Sequence, residues 1–246
     1  MNTQARNLFL GLLALIAIAG VFAIVFVTRA PATSAANGTS AVTGPPKSLT
    51  FTTAAGAQKL EALPVSGDPS AGGRFTVGKA DAPIVVTEWA NYQCIHCKNF
   101  SEQTFAQFQT EFVDTGKVRF VYRDLPFTGQ DNVHRASEAA ACAADQSRYW
   151  DYHSALYRAS ADWANLSGGG LDIQLTQYAT DIGLDGAALR SCLDDNRHVK
   201  AVDEDIAAAR KFGVTGTPAF LVNGFKYEGE MKIEALRAAM SGARPE

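Results

Sequence analysis

A Cys-x-x-Cys motif set between a β-branched run and an aromatic, polar segment constrains this chain more than any other feature. Ile84-Val85-Val86-Thr87-Glu88-Trp89-Ala90 reads as a buried strand, Cys94-Ile95-His96-Cys97 follows within four residues, and a helix is expected from about Cys94 to Asp114. Amides at a helix N-terminus carry partial positive charge and stabilise a thiolate, so the first cysteine of such a motif has a lowered pKa. The second thiol stands one helical turn on and can attack a mixed disulfide on the first. The pattern points to thiol–disulfide exchange, with Cys94 as nucleophile and Cys97 as resolving cysteine. Cys-x-x-Cys is also half of many zinc sites, with His96 as a third ligand, but a structural zinc site usually needs a second close pair. Cys142 and Cys192 are isolated and far apart.

At helical spacing Cys97, Phe100, Phe105, Phe108 and Phe112 fall within one arc, a core-facing stripe that buries Cys97 and leaves Cys94 at the exposed tip. Gly116 closes the helix, and Val118-Arg119-Phe120-Val121-Tyr122 alternates as the next strand. Strand, helix, strand in this order implies a right-handed parallel crossover. Phe75-Thr76-Val77 precedes them as a short edge strand. A long helical region follows, about His134 to Phe212, in five pieces broken at Gly168-Gly169-Gly170 and Gly183. It is too long for a simple crossover and reads as a helical subdomain inserted into an α/β unit. Ala219-Phe220-Leu221-Val222, the turn pair Asn223-Gly224, Phe225-Lys226-Tyr227 and a terminal helix over Lys232–Met240 end the domain.

The N-terminus has a different character. Leu8 to Val27 is twenty residues without a polar or charged side chain, enough for a helix of about 30 Å. A cleaved signal peptide is the competing reading, but its apolar stretch is normally about 7–15 residues. The expected organisation is a transmembrane anchor over 1–29, a flexible Ala/Ser/Thr/Pro/Gly linker over 30–73 and a folded domain over 74–246. Either reading exports the folded part, where disulfides persist. The chain carries a net charge of −3, and its first 73 residues hold four basic side chains against two acidic ones. The remainder is therefore acidic, which argues against a nucleic-acid partner.

Before the final hairpin stands Gly213-Val214-Thr215-Gly216-Thr217-Pro218, and a proline opening a strand sits at an edge or an irregular junction. The strand-borne Cys-x-x-Cys, the Thr-Pro before a hairpin and the helical block between them resemble the thioredoxin fold with the helical insertion of DsbA-like oxidoreductases. Trp89 to Cys97, Tyr149 to Tyr157 and Gly216-Thr217-Pro218-Ala219-Phe220 are most similar to the anchored, BdbD-like branch, and the resemblance covers roughly Phe75 to Ala243. It implies a cis Pro218 facing the disulfide, a Thr217 backbone that pairs with an extended substrate, and a buried Glu88 that relays protons to Cys97. His96 in the dipeptide stabilises the Cys94 thiolate when protonated and so makes the couple more oxidising. Ile95 stands where the best-known members carry proline.

For Cys142 and Cys192 an exported chain favours a structural disulfide, worth up to about 4 kcal/mol for a loop of roughly fifty residues. Two buried free thiols and a second redox pair are the other readings. His134 and His153 read as packing or helix-surface residues, and His198 as an exposed one. The expected function is disulfide formation in exported proteins by a bacterial, single-pass membrane protein with its catalytic domain outside the cytoplasm. The resemblance implies reduced or unfolded exported clients, a DsbB- or VKOR-like reoxidase, and no cofactor or resident metal. A reductase or isomerase of the same fold is one alternative. A metal-handling protein using Cys94, His96 and Cys97 and a peptide-binding module are others.

Overall fold

The strands expected over Ile84–Ala90, Val118–Tyr122 and Ala219–Val222 lie side by side in the middle of one sheet. The computed structural model describes residues 48–53, 56–61, 63–64, 66–222 and 224–241. The expected anchor over Leu8–Val27 and most of the linker lie outside these residues. Among the described residues no helix is long and apolar enough to cross a membrane.

Six strands form the main sheet: β3 (Leu63–Pro64), β4 (Phe75–Val77), β5 (Ile84–Ala90), β6 (Val118–Asp124), β7 (Ala219–Val222) and β8 (Phe225–Glu228). Their spatial order is β3-β8-β7-β5-β6-β4. β5 runs parallel to β6, pairing Glu88 with Tyr122, and antiparallel to β7, pairing Glu88 with Phe220. Every residue of β7 and the last five of β5 are buried, as expected for strands covered on both faces. Strand alternation sends Val86, Phe120, Tyr122 and Phe220 into the larger core, and Trp89, Ala219 and Leu221 into a smaller one with Phe212.

Between β5 and β6 runs the helix that begins at the motif. It is α-helical over α1 (Ile95–Asn99) and α2 (Phe105–Phe108), each followed by a π-type turn, Phe100–Thr104 and Gln109–Val113. Phe100 and Phe108 are fully buried, worth about 1.5–3 kcal/mol each in apolar transfer. The insertion comprises α3 (Asp131–Asp145), α4 (Tyr149–Arg158), α5 (Ser160–Trp163), α6 (Gly168–Asp181), α7 (Gly186–Asp194) and α8 (Val199–Lys211); α9 (Ile233–Ser241) ends the described chain. The three glycines expected to break the helical region instead form the first turn of α6, with Ser167 at its N-cap. The alanine face of α3 (Ala136, Ala139, Ala140, Ala143) is fully buried, which allows close helix packing. Cys142 on α3 and Cys192 on α7 form a disulfide.

The linker expected over 30–73 carries more structure than its composition implies. β1 (Ser48–Thr53) and β2 (Gly56–Glu61) form an antiparallel pair, and β3 joins the edge of the main sheet. Two arginines of β6 hold the stretch that follows: Arg119 Nη2 donates to Ser70 Oγ at 2.9 Å, and Arg123 donates to the carbonyls of Pro69 and Ala71. Gly73 permits the close approach, since a Cβ there would stand 2.2 Å from Val121 Cγ1. The ordered domain therefore starts before Arg74, because its own strand β6 supplies hydrogen-bond donors to a segment of low propensity.

Candidate active site

β5 carries the chain to the C-terminal edge of the sheet, and Asn91 turns it into α1. Its Oδ1 accepts from Gln93 N at 2.9 Å, while its Nδ2 donates to Leu125 O and Gln130 Oε1. The buried Asn91 thus ties the motif to the loop after β6, a role that sequence reasoning missed. Cys94 is the N-cap of α1 in extended conformation, so its Sγ stands over the free amides of the first turn. It is partly exposed, Ile95 beside it is 60% exposed, and Cys97 is 1% exposed.

β7 brings the second wall. The Thr217–Pro218 peptide bond is cis, and Cys94 Sγ as a thiol donates to Thr217 O at 3.2 Å. Ionised, Cys94 is stabilised first by the Cys97 thiol, against the cost of partial burial, and then by the Thr217 side chain and the backbone N–H groups of Cys97 and His96. Its pKa is lowered from 9.0 to about 5. Cys97 moves the opposite way: burial, then its hydrogen bond to Cys94, push its thiol well above the ordinary value. One thiol is therefore a thiolate at neutral pH and its partner is not, the division of labour that exchange chemistry requires.

Glu88 lies beneath them on β5, 3% exposed. Burial, and secondarily the Cys94 charge, hold its carboxyl well above the carboxylate range, which favours its neutral form. It borders a small closed space together with Cys97, Tyr122, Tyr157 and His153. Around that space Tyr122 and Tyr157 share a hydroxyl–hydroxyl bond of 3.1 Å, and Tyr92 Oη lies 3.1 Å from His153 Nδ1. Burial drives His153 down to about 3, so its imidazole is neutral.

His96 points away from this interior. Its Nδ1 lies 2.9 Å from Glu230 Oε2, and Asn99 Nδ2 donates to the same oxygen at 3.3 Å. Glu230, 134 residues away in the loop before α9, is a partner no local pattern announces. Among the described residues Cys94, His96 and Cys97 do not form a group close enough to share a metal ion. A group of side chains close enough to share a cation is Cys142, Cys192 and His198, and there the two sulfurs are bonded to each other. Beside them Asp145 accepts from His198 Nε2 at 3.0 Å and from Arg197 at 3.0 Å. His198 is thus partly buried against the disulfide, and His134 pairs with Glu138 at 2.8 Å.

A family model described as thioredoxin matches residues 70–241. Disulfide bond formation protein D of Bacillus subtilis is 31% identical over 169 residues, covering 65% of this chain and 72% of that protein. The Na(+)/H(+) antiporter NhaA 3 of Salinispora tropica is 34% identical over 170 residues, but the chain spans only 24% of its length. Among solved structures, oxidised BdbD from Bacillus subtilis superposes with a TM-score of 0.65 at 25% identity, covering 74% of this chain and 99% of that one. Wolbachia pipientis α-DsbA1 shares the fold at a TM-score of 0.58 and 24% identity, covering 68% of this chain and 91% of that one.

Proposed function

The chain belongs to the thioredoxin family, among the relatives with the DsbA-like helical insertion, and from that premise we propose that it is an extracytoplasmic thiol:disulfide oxidoreductase that introduces disulfides into exported proteins. The observation that carries the reading is the asymmetric pair: Cys94 at about 5 and partly exposed, Cys97 buried and protonated. A client thiolate attacks Cys94 Sγ of the oxidised couple, forming a mixed disulfide. The Cys94–Cys97 bond breaks, and the electron pair leaves on Cys97, which takes up a proton. A second client thiolate then attacks the client sulfur, forming the client's disulfide and releasing the Cys94 thiolate. A thiolate of such low pKa is a good leaving group, which drives the transfer toward the client.

The other groups take roles around this step. Glu88 supplies and recovers the Cys97 proton, Thr217 and Pro218 present backbone to an extended client segment, and Ile95 is the apolar contact beside the nucleophile. His96 adds positive charge near Cys94 when protonated. Cys142–Cys192 holds α3 to α7. In this reading the Leu8–Val27 span anchors the chain in a bacterial cell membrane with the folded domain outside, and a DsbB- or VKOR-like membrane protein reoxidises Cys94 and Cys97.

The test is the equilibrium potential of the full chain against glutathione, with Cys142→Ser/Cys192→Ser as control. A value near about −120 mV, with one couple remaining in the control, supports an oxidase. A value near about −270 mV makes the protein a reductase instead.

A further inference from the structure

The exchange reaction leaves one cluster of ligand-type side chains without a task. Cys142 and Asp145 stand three residues apart on the last turn of α3 and therefore share a face. Cys192 comes from α7, and His198 is the N-cap of α8. The two sulfurs and a ring nitrogen of His198 all lie within 4.8 Å of one another. Asp145 Oδ2 stands 3.7 Å from Cys192 Sγ and 3.0 Å from His198 Nε2. Ligand atoms of a tetrahedral zinc ion lie about 2.0–2.3 Å from it, and hence roughly 3.3–3.8 Å from each other. The Cα atoms of the two cysteines are 5.9 Å apart, so with the S–S bond open, rotation about each Cα–Cβ bond carries the sulfurs to that spacing. A disulfide alone is neutral and a weak acceptor, and calls for neither an imidazole nor a carboxylate beside it.

We propose that in the reduced chain Cys142, Cys192, His198 and Asp145 form a zinc site, so that a metal ion and a disulfide are alternative fasteners at the same two sulfurs. The donor set of two thiolates, an imidazole and a carboxylate is one that zinc takes in tetrahedral sites. Two thiolates and a carboxylate carry one negative charge more than the ion offsets, and Arg197 Nη1, donating to Asp145 Oδ2 at 3.0 Å, supplies the balance. Both cysteines are buried, His198 is partly buried and Asp145 is exposed, so the ion enters from the Asp145 side. On loading, each thiol gives its proton to solvent and its sulfur an electron pair to zinc. On oxidation, the same thiolates pass two electrons to an incoming disulfide, which takes two protons from water and becomes two thiols. The new S–S bond then frees the ion. A chain not yet oxidised is thereby fastened where its disulfide will stand, and the metal reaches α8 as well as α3 and α7.

The test uses the full chain carrying Cys94→Ala/Cys97→Ala, in which Cys142 and Cys192 are the only cysteines. A water-soluble phosphine reduces it, becoming the phosphine oxide with oxygen from water as the S–S bond opens. Cobalt(II) is the probe, because its thiolate charge-transfer and tetrahedral bands report the donor set, and zinc is then added to displace it. The reduced chain should bind one equivalent of cobalt with thiolate bands that zinc bleaches, and the oxidised chain should show no such bands. Cys142→Ser/Cys192→Ser in the same background should abolish them. His198→Ala and Asp145→Ala should each weaken binding at least about tenfold, the loss that even an outer-shell partner causes. No thiolate bands in the reduced chain, or the same affinity and spectrum in His198→Ala, overturns the site. Where reduction without metal unfolds the chain, the titration is read as zinc-dependent recovery of far-UV circular dichroism. No recovery, or equal recovery in His198→Ala, then overturns it.

Discussion

Reducing the Cys94–Cys97 couple should change the stability of this domain in a manner set by pH. An ordinary thiol at 9.0 is about 1% ionised at pH 7, whereas Cys94 at about 5 is about 99% ionised. Two decades of proton affinity correspond to about 2.7 kcal/mol in favour of the folded, reduced form at pH 7. Cys94 is partly exposed, so solvent screening reduces this to about 1–1.5 kcal/mol, or about 20–30 mV toward a more oxidising couple. The sign follows from a folded pKa below the unfolded one. The contribution is complete above about pH 9 and is lost as pH falls through about 5. Guanidinium unfolding of the reduced and oxidised forms between pH 4 and 8, with thiolate absorbance followed on the same samples, measures it. Taking the difference between the two forms removes most of the contribution of carboxyl groups common to both. A thiolate midpoint above about pH 8, or a stability gap that does not grow between pH 4 and 7, refutes the reasoning.

Three further outcomes follow from the rest of the structure. Cys142→Ser/Cys192→Ser should lower unfolding stability by up to about 4 kcal/mol in urea while leaving the alkylation rate of Cys94 within about twofold, because the disulfide acts on the chain and not on the site. Arg123→Met should cost about 3–5 kcal/mol, measured the same way, since its guanidinium, 2.6 Å from Asp205, is the nearer of two cations (Arg74 at 3.9 Å is the other) facing a carboxylate 2% exposed; a loss under about 1 kcal/mol counts against it. Asp124, fully buried, is pushed up by burial and by Asp205, against a smaller opposing effect of Ser137, to about 7. Its folded pKa lies above the unfolded one, so its contribution is complete below about pH 3.8 and is lost as pH rises through about 7. Asp124→Asn should flatten the fall in stability between pH 4 and 7 by a few kcal/mol, and an unchanged slope rejects the assignment.

What could be read from the sequence was what the chain writes locally. Ile84–Ala90 is an unbroken apolar strand but for Thr87 and Glu88, the motif follows it, and the phenylalanine stripe of the next helix has a period that needs no tertiary knowledge. Thr217-Pro218 carries its own punctuation. Contacts that join distant segments left no such mark: Glu230 reaches His96 across 134 residues, and Arg119 and Arg123 fasten the 68–73 stretch from another strand. Composition also misled at Ala/Ser/Thr/Gly-rich stretches. Gly168-Gly169-Gly170 opens α6 because Ser167 starts the turn and the packed Leu171 and Leu175 hold the helix that follows. The cavity beside Glu88 has no sequence signal at all, since it is the space left where a π turn and an inserted helix meet.

The separation of β5 from β7 along the chain sets an order of assembly. The thiols are in place on the polypeptide by residue 97, but the carbonyl that faces Cys94 arrives 123 residues after it, once the whole insertion has been made. Antiparallel pairing of β5 with β7 is a contact of high sequence separation, and such contacts close late because chain entropy opposes them until the intervening segment is compact. The Cys97 thiol and the His96 and Cys97 amides lie within the motif itself, so the late strand completes only the Thr217 side of the surroundings of Cys94, and a partly folded chain carries the thiols without that wall.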